Sequence, residues 1–186
     1  MNSSMQKYVE VSVQKSLASG TTTADESGNL ELTDSSADFV TDGIQANDVV
    51  HDTSDDRMYV VDTVVDLNTV SLSAIGAASG TGLESGKNYV IYSGEASQST
   101  KQLIASDGVV IVENASADPI NSEVNIQYSG STGIVVKITH AAVAAGDEAM
   151  RDGFEDAVAE SLQQPWPAVK YEWELPSSLI LDIAKV

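Results

Sequence analysis

Between Leu30 and Tyr92 apolar residues come only in short runs, each broken by Asp, Asn, Gly, Ser or Thr. The segment reads Leu30-Glu-Leu-Thr-Asp34, Asp38-Phe39, Gly43-Ile44 and Asp48-Val49-Val50, then Met58-Tyr-Val-Val61, Val64-Val65, Val70-Ser-Leu72 and Tyr89-Val-Ile-Tyr92. An amphipathic helix needs apolar positions recurring at three- and four-residue spacing over ten or more residues, and no such register is present. Short β-branched runs with turn residues between them predict a small antiparallel β-module instead. Met58–Val65 and Thr69–Ser73 flank Asp66-Leu67-Asn68, an arrangement that predicts a hairpin closed by an Asx-rich turn.

The flanking sequence has a different pattern. Val9, Val11 and Val13 share one face of a strand over Tyr8–Val13. After polar stretches at 16–28 and 93–100, Val109–Glu113 forms a compact apolar run. Val124, Ile126 and Tyr128 alternate, as do Ile134, Val136 and Ile138, and Ser129–Gly133 between them predicts a second hairpin. A helix is expected from about Asp147 to Gln164. Asp147 is the expected N-cap, Met150, Phe154, Ala157, Val158 and Leu162 form the apolar stripe, and Pro165 is the terminator. Val169, Tyr171, Trp173 and Leu175 then alternate over a further strand. The expected fold is mainly β with one α-helix. An α+β sheet-and-helix base (1–20 and 96–186) would carry an inserted small antiparallel β-barrel or sandwich lobe (21–95), with two consecutive domains as the alternative.

Charge narrows the function classes. The chain of 186 residues has a formal net charge of −19 and no cysteine. Residues 21–95 hold 14 acidic side chains against two basic ones. Such a surface repels phosphates, so neither direct nucleic-acid binding nor anionic-membrane binding is expected. Without cysteine there are no disulfides and no thiolate metal sites. Met1 to Gly20 has no apolar core of signal-peptide length.

Motif by motif, catalytic chemistry finds no support. Gly80 to Lys87 superficially resembles a phosphate-binding loop, but its glycine spacing is too long. Asn88 stands where Ser or Thr is required, and a strand follows where a helix should start. His51 and His140 fall in different parts of the chain and are read as strand-end or surface residues. Asp48, Asp52, Asp55 and Asp56 form the densest carboxylate cluster. They lack the spacing of a helix-loop-helix calcium loop and are read as a solvated turn, with cation binding left open. The expectation is a protein that is not an enzyme and uses no cofactor.

Two features resist a purely internal explanation. Pro165-Trp166-Pro167 sets a large aromatic in a rigid turn, where it is read as packing under the helix end, with an exposed interface anchor as the alternative. The chain end, Leu179-Ile-Leu181 and Ile183 to Val186, is apolar, and either adds a strand to its own sheet or pairs with a neighbouring subunit. The interface candidates are therefore Lys7, Tyr8, Trp166, Leu179, Ile180, Leu181, Ile183 and Val186.

A family likeness bears on these candidates. Leu32 to Phe39, Asp42-Gly43-Ile44, Asn47 to Val50, Val60 to Val64, Thr69 to Ser73 and Tyr89 to Tyr92 resemble small β-modules of tailed-bacteriophage virion proteins. Val136 to Thr139, Met150-Arg-Asp152, Pro165-Trp166 and Trp173 to Pro176 are similar to short structural proteins of marine tailed phages. The resemblance implies a virion component assembled in the host cytoplasm, of capsid decoration or cement type. Its partners would be the major capsid protein or other virion proteins, and it would be a homo-oligomer, with a trimer favoured. Two alternatives stand beside it. One is a tail, baseplate or fibre-adaptor part. The other is a carbohydrate- or calcium-dependent binding module using Tyr59, Tyr89, Tyr92 and the Asp48–Asp56 cluster.

Overall fold

The computed structural model describes residues 6–26, 28–75, 82–115, 121–165, 167–174 and 176–186. The protein is mainly β with one α-helix, arranged as a mixed sheet and an antiparallel half-barrel sheet. Strand β1 (Tyr8–Gln14) belongs to the first sheet. The chain then builds the second sheet from β2 (Ser16–Thr21), β3 (Glu31–Thr33), β4 (Val49–Asp52), β5 (Arg57–Val64), β6 (Thr69–Ala74) and β7 (Asn88–Tyr92). It returns to the first through β8 (Ser99–Ala105), β9 (Val109–Asn114), β10 (Glu123–Tyr128), β11 (Val136–His140), α1 (Ala149–Gln163), β12 (Lys170–Glu172) and β13 (Ile180–Lys185).

In the first sheet β1 pairs along its whole length with β8, antiparallel. Its other edge is shared by β12, parallel at Tyr8–Glu10, and by the start of β13 at Val13. The order continues through β11 and β10 to β9. The period-2 register of β1 turns Val9, Val11 and Val13 inward, where they meet Ile104, Val124, Ile126, Ile138 and Ile180. Helix α1 closes this core with Met150, Phe154, Ala157 and Val158, and Phe154 meets Trp173 edge-on at 5.6 Å between ring centroids.

The helix departs from its expected stripe in one place. Leu162 is 49% exposed, and Ser161 takes the buried position, its hydroxyl donating to the Val158 carbonyl at 2.8 Å. A small residue that satisfies its own polar atom fits the tight helix end, whereas Leu162 lies on the flank. The helix starts at Ala149, whose N–H is accepted by Asp147 Oδ1 at 2.9 Å, two residues later than expected. The strand expected over Val169–Leu175 shortens to β12, with Val169 36% exposed and Leu175 outside the described residues.

The second sheet runs β2-β7-β4-β5-β6-β3 and forms an antiparallel half-barrel, with β2 and β3 at its two ends among the described residues. Its core gathers Leu32, Phe39, Val50, Tyr59, Val61, Leu72, Leu83, Tyr89 and Ile91. The β5–β6 hairpin forms as expected, with Asn68 N–H bonded to Asp66 Oδ1 at 2.8 Å in the turn. Strand β2 lies in the stretch read from sequence as polar linker, and β8 begins at the end of the other. Among the described residues no helix is long and apolar enough to cross a membrane.

A third core joins the two sheets. Val49 and Met58 from the second meet Ala141 and Leu181 from the first, with Ile75, Tyr92, Ala142 and Leu179 packed around them. The two crossings of the chain are tied together beside it. Ser93 N–H donates to Lys15 O and Lys15 N–H to Gln98 O, each at 2.9 Å. The Gln14 side-chain amide is buried beside the carbonyls of Ser93 and Glu95.

Candidate functional site

The acidic turns come first because the sequence draws most attention to them. Asp34, Asp52 and Asp66 follow β3, sit at the end of β4 and follow β5. Each accepts the N–H two residues on, from Ser36, Ser54 and Asn68, at 2.8–2.9 Å. These are Asx turns, in which a short carboxylate satisfies backbone donors as the chain reverses. Asp48 is fully buried and accepts from Gln45 N–H and Gly94 N–H, both at 2.8 Å. Asp55 pairs with Lys87 Nζ at 2.9 Å and Asp56 with His51 Nε2 at 3.0 Å. The four carboxylates of the 48–56 cluster thus have separate partners and do not converge on one point. Among the described residues no three His, Asp or Glu side chains are placed to hold a metal ion. Much of the charge of this block is turn construction.

Burial raises the Asp48 and Asp52 carboxyls above their ordinary value, with the backbone N–H donors acting in the opposite direction. Exposed Asp38 is held below its own by the N–H and hydroxyl of Thr41. A raised folded-state value means the folded protein binds the proton more tightly than the unfolded chain. The stability from Asp48 and Asp52 is therefore fully present below 3.8 and is lost as pH rises through the folded values. For Asp38 the sign reverses: its contribution is present above 3.8 and lost as pH falls through the lowered value. Carboxyl-carbon NMR titration should place Asp48 and Asp52 above 3.8 and Asp38 below it. The reverse order would contradict this account of the turns.

Two of the three tyrosines considered for sugar stacking are not presented to solvent. Tyr59 and Tyr89 are 0% and 1% exposed, and the Tyr89 hydroxyl donates to Asp34 Oδ2 at 2.8 Å. A ring in the core cannot stack on a ligand, which corrects the binding-module assignment for these residues. Tyr92 packs against the core joining the sheets. His51 is partly buried at its hydrogen bond to Asp56. His140, expected at a strand end or on the surface, ends β11 in full burial, with Nδ1 at 2.9 Å from the Ala141 carbonyl oxygen.

The interface candidates divide by burial. Ile180 and Leu181 are each 1% exposed, within the first-sheet core and the joining core respectively. These two hold the protein's own fold and offer no outer surface, because β13 pairs in its own sheet with β11. Leu179 and Ile183 pack against the same cores, whereas Val186 is 69% exposed. Lys7 Nζ reaches the carbonyls of Gln164 at 3.0 Å and of Ala168, clamping the end of the helix to the start of β1. Tyr8 is partly buried, its hydroxyl donating to Gln6 Oε1 at 3.0 Å. Trp166 and Met1 to Met5 lie outside the described residues.

Sequence reasoning missed the strand edges. Among the described residues β9 and β8 each pair on one side only in the first sheet, and β2 and β3 do so in the second. Leu103 on β8 and Val110 and Ile111 on β9 are 54%, 59% and 42% exposed. A groove of about 340 Å³ lies along β8, lined by Leu103, Ala105, Tyr128, Val136 and Ile183 among others. Unpaired edges with exposed apolar side chains are surfaces suited to protein contact.

No family model matches the chain, and no curated protein matches it. Among solved structures it is similar to a chain described as phage phi92 endosialidase, at 13% identity and a TM-score of 0.27. The match covers 74% of this chain and 24% of that one, so the protein spans about a quarter of its neighbour's length. A likeness this distant leaves function to be argued from the residues themselves.

Proposed function

We propose that the protein is a non-enzymatic structural component of a tailed-phage virion, most specifically a capsid decoration protein bridging neighbouring capsid subunits. The observation that carries the reading is the shared core of Val49, Met58, Ala141 and Leu181, with the tied chain crossings beside it. Two sheets joined by packed side chains and backbone bonds make a stiff body able to pass load from one surface to another. Among the described residues each sheet also ends in strands paired on one side only, suited to contact with neighbours. The buried carboxylates of Asp34, Asp48 and Asp52 are spent on backbone donors. The sequence likeness to virion proteins supports the same assignment, with the major capsid protein as partner and a trimer as the expected assembly.

Quantitative mass spectrometry of purified virions tests this. Hundreds of copies per particle are expected. About six to twelve copies, the stoichiometry of axial tail symmetry, would move the assignment to a tail, baseplate or fibre-adaptor part. Absence from the particle would overturn it.

A further inference from the structure

We infer that the outer edge of β9, beside helix α1, is a docking site for an extended strand of a partner protein that alternates apolar and basic side chains. A cavity of about 180 Å³ is lined by Val109, Val110, Ile111 and Val112 together with Glu155 and Val158. Successive side chains of a strand point to opposite faces, so four consecutive lining residues place the cavity along the strand's edge. That is the edge left without a partner among the described residues, since β10 occupies the other one.

Glu155, Val158 and Leu162 follow at three- and four-residue spacing and therefore share one stripe of α1. Leu162, 49% exposed, lies on that stripe one turn beyond Val158. An added strand would find unpaired backbone groups on β9 and apolar side chains under alternate residues.

Charge selects the occupant. The charged residue in the lining is Glu155, Glu113 lies on β9 itself, and Asp152, Asp156 and Glu160 are exposed on the same helix. Arg151, the basic residue of α1, is already paired with Glu148 and Asp152. A second copy of a chain with net charge −19 would bring carboxylates against carboxylates. The acidic Glu113 further guards the edge against like chains. Lysine or arginine on the incoming strand would meet Glu155 and Glu113 instead. The inference stands apart from the virion assignment and holds whatever structure the partner belongs to.

The test uses the whole protein with a synthetic hexapeptide alternating lysine and valine, and a counterpart alternating glutamate and valine. Hydrogen exchange by NMR should show the Val110–Glu113 amides slowed about tenfold or more by the basic peptide, with the effect weakening as salt is raised. The acidic peptide should leave them unchanged. Glu155→Lys, at an exposed position that leaves the core intact, should reduce the basic peptide's affinity at least about fivefold, and Val110→Lys should do the same through a second residue. No slowing at β9, equal slowing by both peptides, or unaltered affinity in both variants would overturn the inference. So would concentration-dependent protection without peptide, with dimers in sedimentation, since the edge would then belong to a second copy.

Discussion

A Gly94→Ala variant will unfold at a much lower denaturant concentration than the native chain, losing about 3 kcal/mol or more of stability. Gly94 lies where the chain leaves β7 and crosses back towards the first sheet. A Cβ built there would sit 2.7 Å from the carbonyl carbon of Asn47 and closer still to its oxygen. Both are backbone atoms held by neighbouring bonds, for Asn47 N–H donates to Val61 O at 2.9 Å and Val61 N–H to Asp48 O at 2.8 Å. The clash therefore cannot be relieved by swinging a side chain. Moving Gly94 away would also break its N–H bond to Asp48 and leave a buried carboxylate under-satisfied. The control is Gly133→Ala, where nothing lies within 4 Å of the added carbon and the change should stay within about 0.5 kcal/mol. Equilibrium urea unfolding of both variants decides the matter. A loss below about 1 kcal/mol for Gly94→Ala would show that the crossing is softer than its packing implies.

The elements with strong internal periodicity were legible in the sequence. The valines of β1, the two hairpins and most of the helix stripe follow from alternation or from three- and four-residue spacing, because in each the buried face is continuous. The mainly β class with one helix follows from the same signals. Strands β2 and β8 were not legible for a common physical reason. Each lies at a sheet edge, and across the two only Ile104 is buried, so polar Ser, Thr, Lys and Gln fill positions that sequence patterns assign to loops. Leu162 and Ser161 exchange the expected burial: Ser161 takes the buried position with its hydroxyl satisfied by the Val158 carbonyl, a local bond that apolar periodicity does not register.

The candidate site was harder to see for a related reason. Whether a strand has an unpaired edge is a property of topology, and Val109–Glu113 reads the same whether it is central or peripheral. The bulge within it places Val110 and Ile111 both outside, breaking the alternation that would have marked their exposure. The apolar chain end was equally ambiguous. Its placement beside β11 depends on pairing with residues 40 or more positions earlier in the chain, as in His140 with Ile180. The Asx turns, by contrast, are local interactions two residues long, and their aspartates could be recognised directly.

Truncation of Phe154 to alanine is expected to cost about 3–5 kcal/mol, the range for removing a fully buried aromatic. Phe154 is 0% exposed at the centre of the first-sheet core and meets Trp173 at an interplanar angle of 61°. Its removal opens a cavity between α1 and the sheet and leaves Trp173 without its ring partner, so near-ultraviolet dichroism should weaken as well. The consequence should reach beyond that core. Leu181 belongs to β13, whose start packs beneath the helix through Ile180, and its own side chain enters the core shared with Val49 and Met58. Loosening the first sheet should therefore release the second. Global hydrogen exchange at the Tyr59 and Tyr89 amides should accelerate together with the fall in midpoint reported by tryptophan fluorescence. Leu162→Ala, which removes a half-exposed side chain from the same helix, should cost less than about 1 kcal/mol. If Phe154→Ala lowered the tryptophan transition but left exchange at Tyr59 and Tyr89 at native rates, the two sheets would be independent. The stiff bridging body proposed for this protein would then have no mechanical basis.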